Sequence, residues 1–368
     1  MEKRQKKILF LGNEANLDGA PLRLVELLDY YNDNNKDILL DLQLLSKGSH
    51  PEMYIGKVRK LKIKGIGIVQ FLDRLAKRFL RYNIYDFFVK REKYTLFYAN
   101  SIVCLPDAVH YKSLTPGSRV ILHLRELETI CRRVKDIEEL LKQVDEFNVI
   151  SVTVGDMLIN RFGIDRSRIN LTYSGTYLKQ VDYTSKAILS QLTIGTCGGV
   201  FWRKGIEQFI QVANIIVKKY PNVKFEWLGP IGGNEKIIYG ADLKKLELVD
   251  HFKFLGSSGD VLNVMKDWFL FLSTAKEEAL GVSIIEAGSL GIPIICFEKS
   301  GGPGEILAHG GGVVVPYLDV SAMVAAIEMY IHDQEKYFQD SQIILREVQK
   351  YDISLSLPKI EVVINRNV

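Results

Sequence analysis

Strand-length apolar runs alternate with amphipathic, helix-length stretches along almost all of this 368-residue chain, and that alternation restricts it to the α/β class. In the first half, a buried strand at 7–12 leads through a loop at 13–20 into a helix at 21–31. Pro21 suits a first helical turn, where its missing N–H costs nothing. Further strands are predicted at 38–45, 95–99 and 120–124, with a longer apolar, strand-like run at 144–154. The pattern restarts after a polar stretch at 173–190, with strands at 193–196, 224–228, 252–255, 268–272, 292–297 and 312–315 and a helix at 205–219. Such alternation predicts parallel sheets covered by helices on both faces, with ligands at the carboxyl ends of the strands. The length exceeds one ordinary core, so two domains are expected, 1–180 and 181–345.

One segment carries more chemistry than the rest. Glu278-Ala-Leu-Gly-Val-Ser-Ile-Ile-Glu286 follows a strand and a polar loop, turns at Gly281, and enters a helix near Val282. A glycine turn feeding a helix start presents unpaired N–H groups and the positive end of the helix dipole, which suits phosphate. On one continuous helix, glutamates eight apart would be separated by about 12 Å of rise, beyond the roughly 5 to 9.5 Å of glycosidase carboxylate pairs. With Glu278 in the loop and Glu286 one turn inside the helix, the two carboxylates instead bracket an anion and accept hydrogen bonds from the hydroxyls on either side of it. Read in isolation, Glu278 is equally a helix-start charge and Glu286 a solvated helix residue.

The neighbouring motifs add a resemblance. Glu278-Ala-Leu-Gly281 with Glu286-Ala287, Gly291-Ile-Pro293 and Gly301-Gly302-Pro-Gly-Glu305 resembles the donor-site block of the retaining glycosyltransferase family 4, within the group 1 glycosyltransferases. Ile194-Gly195-Thr-Cys-Gly198-Gly199 through Arg203-Lys204-Gly205 resembles that family's glycine turn and lysine-glycine pair. Phe252-Lys-Phe254-Leu-Gly256 with Asp260-Val261 resembles its nucleotide-facing strand and loop. The likeness is strong over 190–330 and weak in the first half.

The resemblance implies a GT-B architecture, two Rossmann-like domains facing a cleft, with a C-terminal segment, 346–368, crossing back to the first domain. It implies catalytic roles for Glu278, at the donor sugar, and for His123, which ends a predicted strand and without the resemblance would be a satisfied structural residue. Donor binding falls to Lys204, a point charge for a diphosphate, to the Gly281-Val282-Ser283 helix start, and to Glu286 at the ribose. Gly19, in Asp18-Gly19-Ala20, reads equally as the family's phosphate-approaching glycine or as a plain capping turn. The family commonly places an arginine where Gly199 stands here, and Arg203 is the candidate replacement for that charge. Arg125 and Glu126 are left between a local ion pair and the acceptor side, and Glu305 is read as a structural brace.

The function expected from the resemblance is retaining transfer of a hexose from a UDP- or GDP-sugar to a glycan or lipid-linked acceptor, in bacterial cell-surface polysaccharide or glycoconjugate synthesis. Two rivals are weighed beside it: a sugar-nucleotide-binding protein without transfer activity, and a GT-B sugar-nucleotide epimerase. No D-x-D pair offers a metal site, no Walker-type loop appears, and no nucleic-acid module accompanies the basic half, so neither metal, other cofactor nor nucleic acid is expected. The four cysteines, Cys104, Cys131, Cys197 and Cys296, read as thiols of a reducing compartment. With no secretory signal and no apolar run of membrane-spanning length, a cytoplasmic protein is expected.

Charge is unevenly spread: residues 1–180 hold 30 basic and 22 acidic side chains, residues 181–368 hold 18 and 22. Between 56 and 93, twelve basic residues face three acidic ones, and Ile68, Leu72, Leu75 and Phe79 take helical spacing among Arg74, Lys77, Arg78 and Arg81. That pattern fits a helix resting on an anionic membrane surface, or a surface helix packing on its own domain.

Overall fold

A computed structural model describes residues 6–16, 19–35, 37–64, 84–178 and 192–368. The chain divides into two units, with boundaries between Ser174 and Gly175 and between Ile353 and Ser354. The candidate membrane-surface helix, with Arg74 and its neighbours, lies outside the described residues.

The first unit is a seven-stranded sheet in the order β3-β2-β1-β4-β5-β6-β7, every neighbouring pair parallel. Its strands are β1 (Lys7–Gly12), β2 (Leu39–Leu44), β3 (Lys60–Ile63), β4 (Leu96–Ala99), β5 (Arg119–Leu124), β6 (Glu146–Val149) and β7 (Ile169–Leu171). The central strands read as unbroken apolar runs because helices cover both faces: Ile8, Leu9, Phe10 and Leu11 are all buried. Strand order reverses between β1 and β4, where doubly wound sheets open a crevice for ligands. The run at 144–154 is not one strand. It breaks after β6, and Ser151 caps a helix, Val152–Phe162, by accepting from the Val154 amide at 3.2 Å.

The second unit repeats the design with six parallel strands in the order β10-β9-β8-β11-β12-β13. These are β8 (Thr193–Cys197), β9 (Lys224–Leu228), β10 (Phe252–Gly256), β11 (Leu270–Ser273), β12 (Ile294–Phe297) and β13 (Gly312–Val315). Ile206, Phe209, Ile210, Ala213, Ile216 and Val217 repeat at helical spacing, and the helix Ile206–Lys219 buries that face. Phe209 meets the rings of Phe225, Trp227 and Phe252 edge-on at 5.3–5.6 Å, and each such buried side chain contributes about 1.5–3 kcal/mol. Trp268, expected inside β11, precedes it. Its indole fills the space over Gly195, where a Cβ would stand 2.0 Å from the ring, and Nε1 donates to Glu226 at 2.8 Å.

The last helix, Ile353–Asn365, starts at the boundary, and the chain from Ser354 to Val368 belongs to the first unit. There Glu361 accepts from Tyr30 and Asn35 at 3.0 and 2.6 Å, and Arg366 pairs with Glu146. Among the described residues no helix is long and apolar enough to cross a membrane.

Candidate active site

Two glycine turns at the carboxyl end of the second sheet lock together and create the site. After β8 the chain turns through Gly198, at φ 137°, whose amide donates to the Leu228 carbonyl at 2.8 Å. A short 3-10 turn, Trp202–Lys204, then delivers Gly205 in the left-handed region, at φ 70°. Any side chain at Gly205 would strike the Thr274 carbonyl oxygen at 1.9 Å. That close approach lets Thr274 donate its hydroxyl to the Lys204 carbonyl at 3.0 Å, while the Lys276 amide donates to the Arg203 carbonyl at 2.8 Å.

The second turn carries Glu278. Its amide donates to the Ser300 carbonyl at 2.7 Å and its carbonyl accepts from Gly302 at 2.9 Å, so the backbone is held on both sides. Gly281, at φ 95°, reverses the chain into the helix Val282–Ser289. Hydrogen bonding within that helix begins with the Ile284 amide donating to the Gly281 carbonyl at 2.9 Å, which leaves the earlier amides of Val282 and Ser283 ahead of the first intrahelical bond.

Between the turns, the Lys204 ammonium folds back across Gly198 and forms an ion pair with the Glu278 carboxylate. The two side chains retain only 16% and 14% exposure. Burial pushes the Glu278 carboxyl up, but the attraction of Lys204 and Arg203 outweighs it, so the group stays below the usual carboxylate range. The sequence expectations assigned these two residues separate tasks; the structure couples them. Glu286 stands one turn into the helix and is half-buried. Burial, and then its negative charge, push the neighbouring Cys197 thiol up to about 12. The Ser283 hydroxyl donates to the Cys197 carbonyl at 3.4 Å, so it fastens the helix start to β8. Arg203 is half-buried, and its charge already acts on Glu278.

Gly199 has a local explanation. A Cβ there would come within 2.2 Å of the Phe201 ring, an exposed side chain that would have to turn aside to admit an arginine stem. A cavity of about 620 Å³ in the same unit, lined by Glu226, Leu255, Ser257, Ser258, Asn263 and Asp267, adjoins the loop after β10. Neither Lys204 nor Glu278 lines it. Glu305 lies in the short helix Gly302–Ile306, which braces the Glu278 turn through Gly302. None of the four cysteines is joined in a disulfide. Among the described residues no three or more His, Cys, Asp or Glu side chains are grouped to hold a metal ion.

In the first unit His123 is fully buried at the end of β5. Its Nδ1 lies 2.7 Å from the Tyr98 hydroxyl and 3.2 Å from Arg125 Nη2, and its buried Nε2 has no hydrogen-bond partner among the described residues. Burial, then the Arg125 charge, hold the imidazole pKa well below its ordinary value. Arg125 and Glu126 divide their work: Arg125 reaches Ser174, Asn100 and His123, while Glu126 accepts from Ser101 and from the Ile102 and Arg125 amides. Gly19 opens the helix Gly19–Asn34, and a Cβ added there would meet nothing within 4 Å, so no protein contact requires glycine; Asp18 lies outside the described residues. Sequence reasoning missed Arg23 and Glu26, three apart on this helix and paired at 2.8 Å. Burial pushes the Glu26 carboxyl up to about 7 against the pull of Arg23 and Arg125. Their only sequence signal is two charges among positions that the helix otherwise buries.

These features coincide with a known family. Residues 185–342, the second unit apart from its ends, match the family model described as glycosyl transferases group 1. An uncharacterized glycosyltransferase of Haemophilus influenzae is 27% identical over 156 residues, which cover 42% of this chain and 44% of that protein. The capsular polysaccharide biosynthesis glycosyltransferase CapM of Staphylococcus aureus is 27% identical over 149 residues, covering 40% of this chain and 39% of that one. The matched stretch thus spans less than half the length of these relatives. Across the whole chain the fold matches Anabaena HepE, crystallised with UDP-glucose, with a TM-score of 0.80 and 18% identity over 98% of this chain and 99% of that one. The architecture is GT-B, with two doubly wound α/β domains.

Proposed function

We propose that this protein is a retaining glycosyltransferase of family 4 that moves a hexose from a nucleotide-diphosphate sugar to a glycan or lipid-linked acceptor. The observation that carries this reading is the buried Lys204–Glu278 pair beside the helix start at Val282, a cation, a carboxylate and free amide ends within one pair of interlocked turns. The group 1 match over that unit supports it, as does the likeness in fold to a protein that binds UDP-glucose.

In this mechanism the amides of Val282 and Ser283, reached through Gly281, and the Lys204 ammonium stabilise charge developing on the departing diphosphate. Arg203 adds positive charge beside them. Glu278 accepts from hydroxyls of the donor sugar, and Glu286 from those of the ribose. In the first unit, His123 supplies a neutral hydrogen-bond donor for a sugar hydroxyl, and Gly19 lets the backbone approach the diphosphate. The departing phosphate assists attack on the same face of the sugar, so no protein nucleophile and no metal take part. Polysaccharide or glycoconjugate synthesis at the cytoplasmic face of a bacterial membrane is the setting, with the basic stretch 56–93 as the contact to anionic lipid.

The test is incubation with UDP- and GDP-sugars, with and without EDTA, followed by analysis of free nucleotide. Transfer or slow hydrolysis releases it, whereas a binding protein without activity, the reading that Gly199 favours, gives a thermal shift and no release. At 100 times its dissociation constant a donor would stabilise the protein by about 2.7 kcal/mol.

A further inference from the structure

We propose that Arg125 is a positioning residue: with the Tyr98 hydroxyl it holds Nδ1 of His123 as an acceptor and so fixes the ring as an Nε2–H donor. The inference rests on the reading of His123 as a group that binds a sugar hydroxyl, although its decisive measurement does not require transfer.

A guanidinium has only donors, so the 3.2 Å approach of Arg125 Nη2 requires a lone pair on Nδ1. The Tyr98 hydroxyl lies 2.7 Å from the same nitrogen and 3.4 Å from Asn148 Nδ2, a donor. With Arg125 requiring a lone pair on Nδ1, the hydroxyl sends its own hydrogen there and accepts from Asn148. Two donors converging on Nδ1 leave the single ring hydrogen of a neutral imidazole on Nε2, the atom that is buried without a hydrogen-bond partner among the described residues.

Arg125 is itself held. Nη1 donates to the Ser174 hydroxyl, and Nη2 shares its second hydrogen with Asn100 Oδ1 at 3.2 Å. The charged and titratable groups around this arrangement come from three elements: Tyr98 on β4, Arg125 and Glu126 after β5, and Arg23 and Glu26 on the helix Gly19–Asn34. Burial and the Arg125 charge both oppose protonation of the ring. His123 consequently gives one hydrogen and neither takes up a proton nor places a positive charge beside a sugar developing cationic character.

The test is the two-bond ¹H–¹⁵N spectrum of the imidazoles in the full chain, with His123 assigned from a His123→Gln variant. The expected result is a bare Nδ1 and a protonated Nε2, unchanged between about pH 6 and 8, where an ordinary histidine titrates. Arg125→Gln should bring in titration or the second tautomer, and Arg125→Lys, which keeps a charged donor, should restore the native pattern. In transfer assays Arg125→Gln should cost about tenfold, the scale of one lost hydrogen bond to a charged group, and add little in a His123→Ala background. A native spectrum with hydrogen on Nδ1, or a charged ring, overturns the proposal even if Arg125→Gln does not fold. So does full multiplicative loss in the double variant. A chain that shows the expected spectrum but transfers no sugar refutes the proposed function and leaves the ring's positioning standing.

Discussion

Replacing Lys204 by methionine separates the two jobs that its ion pair performs. Lys204 and Glu278 are each about 85% removed from solvent, with side-chain exposures of 16% and 14%. Removing one member of such a pair leaves an uncompensated buried charge, which costs about 3–5 kcal/mol. Glu278→Gln leaves an amide that still accepts from the ammonium and should cost about 1–3 kcal/mol. The double variant Lys204→Met/Glu278→Gln carries no buried charge, so it should be more stable than Lys204→Met alone. Its transfer activity should remain lost.

The pH dependence supplies the sign. In the native protein the Glu278 carboxyl lies below its ordinary value, so the stability it contributes is present above the unfolded pKa and lost as pH falls through the folded one. In Lys204→Met the main attraction is gone, and burial, the largest cause, outweighs the remaining pull of Arg203 and pushes the group up. Stability is then present below the unfolded pKa and lost as pH rises through the folded one. Urea unfolding between about pH 4 and 7 reads the reversal. Fluorescence reports the second unit alone, because Trp202, Trp227 and Trp268 are the chain's 3 tryptophans and all lie there. A Lys204→Met variant that loses under about 1 kcal/mol, the scale of an exposed pair, and keeps the native pH slope would refute the coupling.

Gly199→Ala should cost less than about 1 kcal/mol, because the ring its Cβ meets belongs to Phe201, which is 55% exposed and can swing into solvent; a loss of about 1–3 kcal/mol in the same fluorescence assay, recovered by Phe201→Ala, would show instead that the ring is held in place. Glu26, raised to about 7, binds protons in the folded state that it lacks unfolded, so its contribution is fully present below about pH 4.5 and lost as pH rises toward 7. Glu26→Gln should flatten that part of the stability profile of the first unit, followed by circular dichroism, and parallel profiles would count against it. Donor affinity should vary little between about 50 and 300 mM salt in the native protein, where positive and negative side chains offset one another, and more steeply in Glu278→Gln, as titration calorimetry would show; equal slopes would mean that Glu278 does not neutralise the site.

The elements of this site were legible where the signal is local. Gly281 and the apolar helix after it announce a turn and a helix start, and the helix does begin at Val282. Trp268 was misplaced because an apolar residue next to a strand looks like part of it; only the missing side chain of Gly195, distant in sequence, shows where the indole goes. The Lys204–Glu278 pair spans 74 positions, and its closeness comes from Gly205 meeting the Thr274 backbone, a contact that no periodicity encodes. The surroundings of His123 are similar in kind. Tyr98 flanks it because β4 and β5 are neighbours in register, Tyr98 opposite Ile121, and register is a property of the assembled sheet; Arg125, only two residues along, folds back to the ring. The absent arginine at Gly199 was visible at once, while its cause, a ring two residues along, was not.

That cause changes how the missing arginine is to be understood. With Phe201 over Gly199, a second cation facing Lys204 would have to turn that exposed ring aside, and Lys204 itself is already shared with Glu278. The named charges of the proposed donor site, Lys204 and Arg203 against Glu278 and Glu286, sum to zero. An incoming diphosphate would therefore gain little from net charge and must be held by oriented dipoles, chiefly the amides ahead of the first intrahelical bond at Ile284. Such dipoles are fixed by the backbone, whereas the Lys204 ammonium sits on a flexible stem and in the proposed mechanism would exchange Glu278 for phosphate as charge develops. A cation that is neutralised at rest and recruited by the leaving group favours the transition state over the bound donor, which is the arrangement that accelerates transfer without tightening the ground state.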